Sequence, residues 1–195
     1  MSAPALFSGR SFRALEIVEE DLPALQRFFD ENPEYFLTVG GERAGPDTAL
    51  EEFSDRPPAG WPWDGKWLIR FVDDAGAIVA VADVISNLLA KGVWHVGLFI
   101  VATRLHGSGA ARELYRSLED WARQGGATWM RLNVVVGNAR AERFWEGAGY
   151  SEVRRRGGVE IGRRVNVVRV MLKPLADESL PAYLSRVPRD RPESP

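Results

Sequence analysis

The stretch from Val96 to Tyr150 constrains this chain more than any other part of it. It reads VGLFIVAT, then the turn HGSGAA, RELYRSLEDWARQGG, WMRLNVVV and GNARAERFWEGAGY. That order predicts an apolar strand, a glycine turn, a long amphipathic helix, a second strand and a second helix. In the first helix Ala111, Leu114, Leu118, Trp121 and Ala122 form one apolar stripe, and Gly125-Gly126 end it. Trp129–Val136 is almost continuously apolar, as befits a strand buried on both faces. Ala141, Phe144, Trp145 and Ala148 line the second helix. A strand that enters a helix through glycines gathers several backbone N–H groups into one small volume. The positive end of the helix dipole points there too, so the volume suits a phosphate.

The flanking sequence supplies the rest of an α/β domain. Ser11–Val18 predicts a short strand, and Asp21 a cap for a helix whose Leu22, Leu25, Phe28 and Phe29 share a face. Asn32-Pro33 ends that helix. Glycines and prolines then punctuate a loop-rich stretch with a brief helix over Asp47–Phe53. Lys66–Val72 and Ala77–Ile85 predict a hairpin closed by Asp73-Asp74-Ala75-Gly76. Gly92 opens the strand Val93–Ala102, and two last strands fall at about Tyr150–Arg155 and Arg164–Leu172. Residues 174–195 hold five prolines and read as a tail or strap beyond a domain of residues 1–173.

Composition excludes several classes. The 195 residues are 45% hydrophobic and 27% charged, enough for one well-cored domain. A net charge of −2 argues against nucleic acid as the partner. With no Cys and two His, neither thiolate chemistry nor a metal cluster of usual spacing is expected. No apolar run reaches membrane-spanning length, and the first residues lack a basic-then-apolar signal pattern. The expectation is a cytoplasmic protein with no membrane partner. A dinucleotide fold is set aside, because the third glycine of G-x-G-x-x-G is Arg112 here and no acid ends the next strand.

The residues after Val93 resemble the general-control-related N-acetyltransferase superfamily, or GNAT. Its pyrophosphate loop is [Q/R]-x-x-G-x-[G/A], followed by a helix, a strand and a helix opening N-x-x-A-x-x-[F/L]-Y-x-x-x-G-[F/Y]. Two registers compete: the literal match Arg104–Gly109, and His106-Gly107-Ser108-Gly109-Ala110-Ala111, which misses only at its first position. The second gives the usual spacing from Val101 and the usual helix length. Downstream, Asn138, Ala141, Phe144, Gly149 and Tyr150 fall on the pattern. The resemblance is specific over about Val93–Val153 and general before it, although the ENPEYF and GWPW segments are similar to a bacterial subgroup.

The resemblance implies one domain with a mixed, mostly antiparallel sheet, helices on both faces, and a splayed parallel strand pair that holds acetyl-CoA. It implies direct transfer of the acetyl group to a primary amine. The pantetheine arm would pair with the backbone of Phe99, Ile100 and Val101. The pyrophosphate would sit on the turn from His106 and Gly107 through Ser108, Gly109, Ala110 and Ala111 to Arg112. Asn138 would hold the thiol end beside Phe144 and Trp145. Asn138 also reads as a simple helix cap, and the two roles are compatible. No metal is implied, and many members are homodimers.

The chain departs from the family where catalysis is concerned. Many members carry a tyrosine that protonates the departing thiolate; the matching residue is Trp145. Some carry a glutamate base at the position of Asn133. The thiolate leaves readily, since a thiol has a pKa near 8.5, whereas an alkyl ammonium near 10.4 must lose a proton first. His95, Asp83 and Glu34 are candidates to accept it, beside a water-assisted route. Nine acids against two arginines in Asp30–Asp64 suggest a wall for a cationic acceptor, or merely a solvated surface. Glu34, Tyr35, Trp61 and Trp63 are the candidate acceptor contacts. The reading is an acetyl-CoA-dependent N-acetyltransferase for a small-molecule or peptide amine. The competing readings are a non-catalytic acyl-CoA-binding module and an acetyltransferase for protein N-termini or lysines.

Overall fold

The computed structural model describes residues 4–194. Eight strands form one sheet in the order β1-β2-β3-β4-β5-β6-β8-β7. They are β1 (Phe7–Ser8), β2 (Arg13–Glu16), β3 (Lys66–Val72), β4 (Ile78–Ile85), β5 (Val93–Val101), β6 (Trp129–Val135), β7 (Ser151–Ile161) and β8 (Arg164–Pro174). Every neighbouring pair is antiparallel except β5 with β6. That exception follows from the long helix α4 (Ala110–Gln124) joining them, since parallel neighbours need a crossover. The single α/β domain with a mixed sheet and helices on both faces matches the expectation from sequence.

The faces divide the work. One packs α4 and α5 (Ala139–Gly147) over a core that includes Val84, Trp94, Val96, Leu118, Met130 and Leu132. The other packs α1 (Leu22–Glu31) and α3 (Thr48–Ser54) over Leu68, Val81, Leu98 and Ile100. Asp21 precedes α1 as expected, but its side chain does not cap the helix. It stands 2.7 Å from Arg70 and also accepts the Val18 N–H, and these partners take the carboxylate.

Three features go beyond the sequence reading. A further helix, α2 (Glu34–Val39), lies in the stretch read as loop. The last two strands are longer than predicted; a register shift between Arg156 and Val159 absorbs Gly157-Gly158. The segment after β8 forms helix α6 (Leu180–Arg186) and a 3-10 turn at Pro188–Asp190. Tyr183 and Val187 from it are buried with Val93, Trp129 and Leu172. Arg131 forms a two-pronged ion pair with Asp190 at 2.8 and 2.9 Å, both side chains being fully buried, and Tyr183 donates to the same carboxylate.

Candidate active site

β5 and β6 pair only from Val93–Trp129 to Val96–Leu132. Beyond that point they diverge, although β5 runs to Val101 and β6 to Val135. Backbone groups on the two inner edges are therefore available to a ligand, and unpaired backbone groups in a cleft demand a partner. A cavity of about 490 Å³ opens there, lined by the end of β5, the glycine turn and the first turns of α5. Phe99, Ile100, Val101, Phe144 and Trp145 form its apolar wall, and Asn32, Glu34, Tyr35 and Thr38 face them from the α1–α2 side.

The glycine turn closes one end. Gly107 and Gly109 have φ of +79° and +89°, and a Cβ on either would point into open space. The N–H groups of Arg112 and Glu113 turn back to the Gly109 carbonyl, and that of Ala110 to the Ser108 hydroxyl. Those of Gly107, Gly109 and Ala111 meet no acceptor among the described residues, which makes a small nest of donors at the start of α4. His106 lines the cavity and its Nε2 lies 2.9 Å from the Val101 carbonyl. Arg104, the first residue of the competing register, turns away to Asp73. Arg10, Arg112 and Arg116 border a shallower depression beside the same turn. Only Arg112 of the three stood out in the sequence, although Arg116 follows it at the i, i+4 spacing that puts two residues on one helix face.

Asn138 caps α5, its Oδ1 accepting the Ala141 N–H at 3.2 Å, and it also lines the cavity. Trp145 is 7% exposed and packs against Phe99, Tyr115, Phe144 and Tyr150, with ring centroids 4.9–5.9 Å away. Glu34 bridges the mouth, 3.1 Å from Arg140 and 3.5 Å from His106 Nδ1. Asn32 showed in the sequence only as a helix end, and Thr38 and Arg140 not at all, since only the folded chain brings them to the cavity. Asn32 donates to the Phe28 carbonyl and accepts the Thr103 N–H at 2.7 Å, tying α1 to the turn. Burial, with the Glu52 charge nearby, pushes the Tyr35 hydroxyl well above its ordinary range, so Tyr35 remains a donor.

The other sequence candidates lie outside the cavity lining. Trp61 packs under the Arg189 guanidinium at 4.0 Å, and Trp63 is half-buried. His95 pairs across the sheet with Arg131, which donates to its Nδ1 at 3.2 Å. Burial and that guanidinium pull the imidazole down to about 3, so His95 is neutral. Asn133 is exposed on β6, immediately past the last β5–β6 pair. Asp83 is buried on β4 with Lys66 at 3.5 Å. Among the described residues no group of three or more His, Asp or Glu is placed to hold a metal, and no helix is long and apolar enough to cross a membrane.

A mixed sheet split at its one parallel pair, with a glycine turn and a helix start at the mouth of the split, is an N-acetyltransferase fold. Residues 18–150 match the acetyltransferase (GNAT) family, and the chain belongs to it. No curated protein matches it in sequence. A GCN5-related N-acetyltransferase from Kribbella flavida is similar in structure, with 21% identity and TM-score 0.62 over 86% of this chain and 100% of that one. Spermidine N-acetyltransferase from Vibrio cholerae, in complex with CoA and spermine, shares 17% identity at TM-score 0.65 over 85% and 96%. The ribosomal-protein-S18-alanine N-acetyltransferase from Escherichia coli shares 15% at TM-score 0.60 over 87% and 97%.

Proposed function

We propose that this protein moves an acetyl group from acetyl-CoA to the primary amine of a small molecule or peptide, in the cytoplasm. The observation that carries the reading is the split between β5 and β6, which ends on free N–H groups at Gly107, Gly109 and Ala111. The residues present fit acetyl-CoA along its length. Gly107–Arg112 offers donors and a helix start to a pyrophosphate, with Arg10 and Arg116 beside it for further phosphate charge. The inner edge of Phe99–Val101 offers backbone partners to the amides of the arm. Phe99, Phe144 and Trp145 offer an apolar wall to the thioester end, and Asn138 a polar contact there.

When bound, acetyl-CoA supplies the acetyl group as a thioester, an acyl donor whose leaving group departs without strong acid help. The chain's own part is to hold the arm between the strands, exclude water with Phe99 and Trp145, and admit the amine from the Glu34–Tyr35–Thr38 side. Structural neighbours are named for acceptors as different as spermidine and a ribosomal-protein alanine. What those acceptors share is an amine, and the acids of Asp30–Asp64 favour one that arrives charged. Trp61 and Trp63, the other two candidate acceptor contacts, do not line this cavity.

The test is thiol release from acetyl-CoA over a panel of polyamines, aminoglycosides, amino acids and short peptides. Turnover of at least one amine is expected. Trp145 at the family's tyrosine position favours one competing reading, a non-catalytic acyl-CoA-binding module. That reading predicts acetyl-CoA binding by calorimetry with no thiol release from any amine.

A further inference from the structure

One carboxylate on the α1–α3 face of the sheet has an oxygen without a partner. Asp83 stands in β4 between Leu68 of β3 and Leu98 of β5, which belong to the core on that face. Its side chain is 6% exposed, and Lys66 Nζ lies 3.5 Å from Oδ2. That ammonium is fixed in turn by the carbonyls of Glu52 and Asp55, at 3.1 and 2.9 Å. Asp83 Oδ1 meets no donor among the described residues. A buried, unpartnered carboxylate oxygen is costly, and its persistence calls for an explanation in function.

The register puts this carboxylate beside the split. The β4–β5 ladder shifts between Asp83 and Val84, leaving Gly97 as the extra residue between Val96 and Leu98. Bulges of this kind re-aim side chains and gather beside active sites. Pairing of β5 with β6 ends at Val96 and Leu132, so the bulge falls where the split opens. Gly97 is exposed, and a Cβ on it would lie 2.9 Å from Asp83 Oδ2. The bare glycine therefore leaves an approach to the carboxylate that any side chain would narrow. Glu52 adjoins the pair through its own backbone carbonyl, which accepts from the Lys66 ammonium at 3.1 Å.

We propose that Asp83 takes the proton from the acceptor ammonium, with Lys66 positioning its carboxylate and Glu52 as the second carboxylate of the site. The assignment rests on the N-acetyltransferase reading. Forming an amide from an ammonium removes two protons from nitrogen. One N–H bond breaks as an O–H bond forms on Asp83, the nitrogen keeping the electron pair that bonds to the acetyl carbon. The second proton leaves with the departing thiol, and the first passes from Asp83 to water.

The electrostatics suit that role. Burial pushes Asp83 up to about 6, with Lys66 pulling the other way, and burial and the Asp83 charge push Glu52 up to about 7. Asp83 is then mostly ionised at neutral pH yet holds a proton better than an ordinary carboxylate, as a general base should. The charged groups facing it are Lys66 from β3 and Glu52, Asp55 and Arg56 from α3 and the residues after it. On β5, His95 is neutral and turned to Arg131.

Asp83→Asn is expected to lower kcat at pH 7 by about 100-fold or more while acetyl-CoA affinity stays within about twofold. Between pH 7 and 9 the deficit should shrink by about tenfold per unit, because more of the acceptor arrives already neutral. Gly97→Ala keeps the carboxylate and narrows the approach, and should lower kcat with the melting temperature held. A carboxyl-carbon NMR titration with CoA present serves as a readout independent of turnover. The Asp83 midpoint should lie near 6 and fall when n-butylammonium is added, since a nearby cation favours the ionised form. If the wild type turns over no amine but the midpoint still falls, the transferase reading fails and the cation contact stands. A folded Asp83→Asn protein with kcat within threefold of wild type, a deficit that ignores pH, or a midpoint indifferent to the ammonium would each overturn the proposal.

Discussion

Gly109 is the residue on which the proposed phosphate end of the site depends. Its φ of +89° lies where a β-branched residue is strained, and it directly precedes α4. Gly109→Val should force the turn out of that conformation and withdraw the N–H groups from their common volume. The expected result is loss of acetyl-CoA binding by calorimetry in a protein that still melts cooperatively; unchanged affinity would refute the phosphate assignment. Trp145 marks the other end. Its indole is packed among four aromatic rings, and an indole N–H does not titrate in a useful range. Trp145→Phe should lower the melting temperature and reduce kcat less than about tenfold, below the loss typical of a missing general acid. A thousandfold fall with acetyl-CoA affinity intact would give the indole a part in the chemistry. Glu52 carries a pH prediction. Its folded pKa, about 7, is raised above the ordinary 4.5, so the folded state holds a proton that the unfolded chain has lost. The associated stability is complete below about 4.5 and is lost as pH rises through 7. Glu52→Gln should therefore melt higher than wild type at pH 8 and no higher at pH 4.5, as calorimetric scans at the two values will show.

At the scale of elements, legibility followed locality. The turn, α4, β6 and α5 were readable because each carries its own signal: glycines at both ends of α4, an apolar run in β6, and a capping asparagine before α5. Helix α2 was not, because six residues between a proline and a glycine pair carry too few turns to show periodicity. The segment after β8 was read only as a tail or strap because prolines dominate it, whereas its docking depends on Arg131, fifty-nine positions before Asp190. Nothing local to either residue announces that pair. The same distance makes it a stringent test. Both side chains are buried, Tyr183 and His95 share the network, and Arg131 with Tyr183 holds the Asp190 carboxyl below its usual range. Asp190→Ala leaves a buried guanidinium without its counter-charge, and should cost about 3–5 kcal/mol in denaturant unfolding. A cost under 1 kcal/mol would mean that the segment adds little to the sheet it covers.

The whole molecule joins two regions of opposite charge across one split. Arg10, Arg112 and Arg116 cluster beside the glycine turn, whereas the α1–α3 side carries the acids of residues 30–64. A net charge of −2 conceals this division, so composition alone does not reveal where the charges gather. The fold also shows that not every acid is free. Glu42 is paired with Arg163, Glu34 with Arg140, and Asp64 accepts from Asn87. The proposed attraction for a cationic acceptor thus rests on fewer charges than the sequence count, chiefly Glu52 and Asp83 around Lys66 and Glu51 and Asp55 on their exposed flank. Exposed charges are screened over about 8–10 Å at ordinary salt, and buried ones much less. Raising sodium chloride from 50 to 500 mM should therefore raise the KM of a cationic acceptor severalfold through the exposed flank. Its kcat, set where the carboxylates are buried, should change little. A neutral amine of similar size should show a higher KM and almost no salt dependence. Steady-state kinetics over that range with a diamine and a matched amine of low pKa, uncharged at the assay pH, decide the point. A preferred acceptor that is anionic, or a diamine KM that ignores salt, would remove the acids of this face from substrate recognition.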